Sequence, residues 1–238
     1  MAEKRMGLVL PSPNIHMEPQ FYALGLPEVS FFTTRVMLKE TTEEALVQME
    51  QDLDYASRML ATIHPDVVAY CCTSGSFIRG DAFDNQIAKT IEKNCGCPGV
   101  TTSSAMGEAM GALGIRRVAL ITPYTDDINV QEKKYIEGKG IQVVASFGFQ
   151  KVANEPLVAL TRQEWIDASL ETDTPEADAL FLSCTNTKAM PAAEELEEKL
   201  GKPVLTSNSV TLWKMLRTIG YDRPVAGCGM LLSQYLNK

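Results

Sequence analysis

The chain nearly repeats itself. Leu8-Val9-Leu10-Pro11 matches Leu120-Ile121-Thr122-Pro123, and Cys72-Thr73-Ser74 matches Cys184-Thr185-Asn186. Both pairs stand 112 residues apart (11 to 123, 72 to 184) with no fitted gap. A third match pairs Gly96-x-Pro98-x-Val100-x-Thr102-Ser103 with Gly201-x-Pro203-Val204-x-Thr206-Ser207. Its offset is 105 at the proline and 104 at the threonine and serine. A chain of 238 residues holds two such units of about half its length. Whatever one half folds into, the other must fold into as well.

Within each half, strand and helix signals alternate. Apolar runs at 6–10, 29–34, 66–72 and 98–101 read as strands, as do 117–122, 141–146, 177–184 and 203–206. The run at 66–72 is a continuous apolar one, as strands buried on both faces are, and 177–184 is read as a buried strand as well. Helical spacing follows Thr41-Thr42-Glu43-Glu44, with apolar Ala45, Met49, Leu53, Ala56 and Leu60, and helices are expected over 82–92, 104–113 and 126–138. Thr161-Arg162-Gln163-Glu164 caps another, and 191–200 and 209–219 complete the set, with a last strand expected over 224–228. Alternation of this kind gives parallel sheets joined by crossover helices. The expected fold class is therefore α/β: two similar parallel-sheet α/β domains related by a pseudo-twofold, with a cleft between them. The helices at 104–113 and 209–219 would carry the chain across and back. That makes the second unit an insertion, with residues 1–105 and 212–238 in the first domain and 106–211 in the second.

Composition narrows the function. Hydrophobic residues at 45% and charged residues at 22% suit a globular chain with a sizeable core. The 22 basic against 30 acidic residues give a net charge of −8, which disfavours nucleic acid and anionic membrane surfaces as partners. No stretch approaches the ~20 apolar residues of a membrane span, and Met1–Arg5 carries no export signal, so a cytoplasmic location is expected. A homo-oligomer stays open. Six cysteines are too sparse for a disulfide scaffold, and Cys95-Gly96-Cys97 lacks a second ligand pair for zinc, so no metal is expected. Gly227-Cys228-Gly229 opens no helix, which leaves a dinucleotide fingerprint unsupported. Neither His16 nor His64 suits a Ser-His-Asp arrangement.

Ligands of open α/β sheets bind beyond the carboxyl ends of the strands. Pro11-Ser12-Pro13-Asn14, Cys72-Thr73-Ser74-Gly75-Ser76, Pro123-Tyr124 and Cys184-Thr185-Asn186-Thr187 all fall there. Facing halves would bring Cys72 and Cys184 to one cleft. The amides after each cysteine would form a nest that holds a carboxylate and lowers the thiol pKa. Two opposed thiols serve as acid and base, or as nucleophile and proton carrier, without metal or organic cofactor. Each candidate also has a plainer reading. A cysteine ending a buried strand is often only a core residue, Tyr124 can be packing, and Asn14 is a common turn residue. Cys71, Cys95, Cys97 and Cys228 are read as structural or surface thiols.

At these residues the chain resembles the aspartate/glutamate racemase superfamily, in the branch of maleate cis–trans isomerases and arylmalonate decarboxylases. Pro11-Ser12-Pro13-Asn14-Ile15-His16-Met17-Glu18, Ala69-Tyr70-Cys71-Cys72, Thr122-Pro123-Tyr124 and Leu182-Ser183-Cys184 resemble the isomerases, as do Pro224-Val225-Ala226-Gly227 and Leu231-Leu232-Ser233. The run from Thr73 through Ser74-Gly75-Ser76-Phe77-Ile78-Arg79-Gly80 to Phe83, and Tyr124-x-Asp126-Asp127-x-Asn129, are similar to the decarboxylases. Those decarboxylases have glycine where this chain has Cys72, and the isomerases lack Thr-Ser-Gly-Ser after their first cysteine. The resemblance implies a cofactor-independent isomerase. Cys72 would add to an alkene carbon of a cis-enedioate, the bond would rotate, and elimination would follow with Cys184 as acid/base. Asn14, Thr73, Ser74, Tyr124, Thr185 and Asn186 would hold the carboxylates of a small mono- or dicarboxylate. A two-base racemase or epimerase, a decarboxylase using Cys184 alone, and a non-catalytic dicarboxylate binder are the alternatives.

Overall fold

The first apolar run becomes β1 (Lys4–Pro11), which lies between β2 (Val29–Val36) and β3 (Val67–Tyr70), with β4 (Gly99–Thr101) beyond β3. All pairings are parallel. The second sheet repeats that order. β5 (Arg117–Thr122) lies between β6 (Gln142–Gly148) and β7 (Ala179–Leu182), and β8 (Val204–Thr206) completes it. The computed structural model describes residues 3–236. Residues 1, 2, 237 and 238, at the ends of the expected first domain and of the segment read for an export signal, lie outside the described residues.

The repeat survives at the level of register. Met6 stands opposite Val67 in the first sheet and Val118 opposite Ala179 in the second, again 112 residues on. Tyr70 opposite Thr101 corresponds to Leu182 opposite Thr206, which makes the later offset 105 throughout. The expected alignment at 104 is thus one residue out. Thr101, not Thr102, is the counterpart of Thr206. Each ends a strand and caps the next helix, accepting from the amide of Ser104 at 3.1 Å or Ser209 at 3.0 Å. Those helices, Thr102–Ala112 and Ser207–Thr218, pack on each other and carry the chain between the sheets. A hydroxyl contact of 2.9 Å joins Thr211 to Thr102 at their interface.

Two expected elements differ. The helix after Thr42 is two helices, Glu43–Gln51 and Leu53–Ala61, meeting at Asp52. The expected strand at 224–228 is a loop. Gly227 and Gly229 both adopt φ of +87°, which ends any extended run, and the Val225 amide bonds to the Leu232 carbonyl at 3.1 Å. The Thr161 cap is as expected, with a capping box to Glu164.

Strand alternation distributes the core. Val118, Leu120, Phe181 and Leu205 face a core continuous with the first sheet and the crossing helices. Their neighbours Ala119, Ile121, Leu180, Leu182 and Val204 build a separate core under Trp165, Ile166 and Leu196. Among the described residues no helix is long and apolar enough to cross a membrane.

One close approach depends on glycine. A Cβ on Gly99 of β4 would stand 2.4 Å from the Ala88 carbonyl oxygen of helix Gly80–Cys95. Gly99→Ala is expected to cost about 1–3 kcal/mol of stability. Gly111→Ala, whose Cβ meets open space on a helix, is expected to add about 0.5–1 kcal/mol. Urea midpoints moving in opposite directions would bear this out.

Candidate active site

β3 ends at Tyr70, and two residues later Cys72 takes an extended conformation and caps the short helix Thr73–Phe77. Its sulfur accepts the Gly75 amide at 3.3 Å and lies 3.8 Å from the Ser74 hydroxyl. β7 ends at Leu182, and two residues later Cys184 adopts φ of +87°, a region a side chain rarely visits. That turn brings the Asn186 amide to the Cys184 sulfur, with the Tyr124 side chain on the same sulfur.

The two thiols line one cavity, together with Thr73, Ser74, Tyr124, Thr185 and Asn186. Asn14 does not reach it. It is fully buried behind Thr185, donating to that hydroxyl at 3.1 Å and accepting from the amides of His16 and Met17. Several of the expected donors are already engaged by protein. Thr185 donates to the Cys71 carbonyl at 2.9 Å, Thr73 donates to Ser207 at 2.8 Å, and Asn186 bridges the Pro13 carbonyl and the Ile15 amide. The Ser74 and Tyr124 hydroxyls and the Gly75 and Asn186 amides sit on the two sulfurs, so a ligand that reaches the thiols meets them there. The first amides of a helix have no acceptor within it.

Sequence reasoning missed the walls. Leu38, Thr41, Asn154 and Leu157 line the same cavity. They come from two segments, clasped by the Thr41 amide on the Val152 carbonyl and the Asn154 side chain on the Lys39 carbonyl. They carry no motif and are brought together only by the fold. The lining holds no charged side chain. The enclosed volume is about 20 Å³, room for roughly one water molecule.

Burial overturns one expectation. Desolvation pushes the Cys72 thiol up to about 11 against its bonds from Gly75 and Ser74. It pushes Cys184 up to about 12 against the Asn186 amide and Tyr124. The amides do lower each thiol pKa, but loss of water outweighs them in the closed cavity.

A second group escaped the sequence reading. Glu132, on helix Asp126–Gly138, is fully buried and accepts from the Ser183 hydroxyl at 2.6 Å, one residue before Cys184. Its other oxygen has no partner. Burial raises its pKa to about 8.

Parallel strands ending at two thiols that line one uncharged cavity define a two-cysteine α/β enzyme. The chain belongs to the arylmalonate decarboxylase family, whose model matches residues 6–232. It is 28% identical over 243 residues to the maleate isomerase of Geobacillus stearothermophilus, covering 96% of this chain and 97% of that one. A solved maleate isomerase from Pseudomonas putida S16, a cysteine-to-alanine form with maleate, matches with a TM-score of 0.92 at 27% identity, over 97% of both chains. The Nocardia farcinica maleate cis–trans isomerase matches with a TM-score of 0.93 at 25% identity, over 97% of this chain and 98% of that one. It was solved as a cysteine-to-serine mutant with a covalently bound succinylcysteine intermediate.

Glu132 generates a prediction. Its raised pKa means that the unfolded chain ionises it from about pH 4.5, while the folded chain does so only near 8. The stability of the buried neutral form is complete below about 4.5 and is lost as pH rises toward 8. Glu132→Gln is therefore expected to gain on wild type by an amount that grows across that window, on the order of a few kcal/mol. Urea unfolding at pH 4.5 and 8 measures it; an equal difference at both would refute it.

Proposed function

We propose that the chain is an isomerase that needs no cofactor and converts a cis-enedioate of maleate type to its trans isomer through a thioether on Cys72. The observation that carries this reading is a second cysteine, Cys72, lining the same small cavity as Cys184. The relatives named maleate isomerase, and the succinylcysteine in one of them, support it.

The chemistry runs as an addition and its reversal. Cys72, like Cys184 a neutral thiol at rest, gives its proton to water as the substrate enters, and its sulfur, now a thiolate, forms a bond to one alkene carbon. The alkene electron pair moves to the neighbouring carbon, where the carboxylate spreads it as an enolate-like dianion. Amides of the two cysteine turns and the Ser74 and Tyr124 hydroxyls bind that charge without reorganising water. Cys184, a neutral thiol at physiological pH, donates its proton to the carbon. The former double bond is now single and rotates. Cys184 takes the proton back, the C–S bond breaks, and the trans alkene leaves. The substrate is a small carboxylate, and its carboxylates meet dipoles rather than cationic side chains.

The family's name is that of a decarboxylation, and the run after Thr73 is similar to the decarboxylases. Loss of carbon dioxide needs one proton donor and leaves Cys72 without a task, which ranks it second.

Proton NMR in D2O with maleate tests the reading. Fumarate is the expected product; a monocarboxylate from an arylmalonate, with maleate untouched, would replace this reading by decarboxylation. Cys72→Ser and Cys184→Ser are each expected to lower turnover at least ~100-fold. In Cys184→Ser the Cys72 peptide is expected to gain the mass of one maleate. Full activity in either variant would remove that cysteine from the reaction.

A further inference from the structure

Tyr70 is the last residue of β3, wholly buried, and its hydroxyl has no hydrogen-bond partner. Such an orphan is destabilising, and a phenylalanine would fill the same space without that cost. The hydroxyl lies beside Cys72. A Cβ built on Gly75 would stand 3.0 Å from the Cys72 sulfur and 3.1 Å from the Tyr70 oxygen. Thiol and phenol therefore both border one point beside the Gly75 Cα, where glycine places no side chain. The third neighbour of that point is the Met49 methyl, 2.7 Å away, which neither donates nor accepts. Nothing in the backbone requires glycine here, since Gly75 lies in helix Thr73–Phe77 and does not adopt positive φ.

We propose that Tyr70 is a positioning residue for the first cysteine, its hydroxyl turning to donate to the Cys72 sulfur beside Gly75 once that sulfur carries negative charge. The proposal rests on Cys72 being the attacking thiol. It gives the thiolate a third donor beside the Gly75 amide and Ser74. Burial holds Tyr70 well above the ordinary phenol pKa, so it stays a donor throughout. Hydrogen bonds to charged groups are worth enough to change a rate ~10- to 100-fold. The titratable groups around the pair are Cys71 and Glu50 on the Tyr70 side and Tyr124 and Cys184 on the cavity side. None of them is changed in the test.

The experiment is the pH dependence of Cys72 alkylation by iodoacetamide, with the modified sulfur assigned by peptide fragmentation, in wild type and Tyr70→Phe. The midpoint is expected to rise by about one pH unit in the variant, a tenfold loss of thiolate at a given pH. The melting temperature is expected to stay level or rise, because an unpaired buried hydroxyl is gone. For maleate, kcat is expected to fall ~10-fold or more with KM little changed. An unchanged alkylation midpoint overturns the proposal whatever the activity does. Gly75→Ala keeps both groups and sets a methyl against each of them, so it is expected to raise the midpoint too; no shift there also counts against the proposal. If wild type leaves maleate untouched while Tyr70→Phe still moves the Cys72 midpoint, the isomerase reading falls and this one stands.

Discussion

The Thr185 hydroxyl donates to the Cys71 carbonyl at 2.9 Å and accepts from Asn14 at 3.1 Å, and the rest of the site depends on those two bonds. They pin the end of β7 to the end of β3 and to the turn after β1. Two open parallel sheets meeting only through apolar contacts could slide by a residue without much loss. Buried hydrogen bonds do not permit that, because a slip leaves donors and acceptors unpaired in a dry interior. Thr73 on Ser207, Ser76 on Ser103 and Thr102 with Thr211 extend the same constraint to the crossing helices. The thiols oppose each other because the hydroxyls around them have fixed partners.

The two halves share a scaffold and differ in what they do with it. Cys72 and Cys184 are equivalent by position, yet one is extended and caps a helix while the other sits at positive φ. Cys72 lies by Ser74, Gly75 and Tyr70; Cys184 lies by Tyr124, with Glu132 bound to the preceding Ser183. A duplicated unit supplies two strand ends at matching heights, and the residues around each end then divide the labour.

The layout was legible from sequence because strand periodicity and a repeat of 112 are properties of the chain alone. The capping threonines at 42 and 161 were legible for the same reason, since a cap is a local interaction. Cys72, Cys184 and Tyr124 stood out because each follows an apolar strand. What escaped depends on distant segments. Leu38 and Leu157 line the cavity only after two loops clasp. Glu132 reads as one more charge on an amphipathic helix until the second sheet covers it. Asn14 reads from sequence as a substrate contact, while its hold on Thr185 depends on a segment 171 residues away. The thiol pKa was misjudged because helix amides are visible in sequence and the dryness of a cavity is not.

That dryness bears on how the cysteines share the reaction. The chain carries −8 and its cavity no cationic side chain. A dianionic substrate entering it meets only dipoles. A charge on Cys72 raises the pKa of Cys184 further, by the rule that keeps two carboxylates in one site from ionising together. In the proposed reaction this separates the roles without a dedicated base. Once Cys72 is the thiolate, repulsion in a low-dielectric space holds Cys184 as the acid. When the adduct forms, the charge moves from sulfur to the substrate, and the proton transfer from Cys184 follows the charge. A lysine or arginine in the lining would bind the substrate more tightly, but it would also let both thiols ionise, and the acid would be lost.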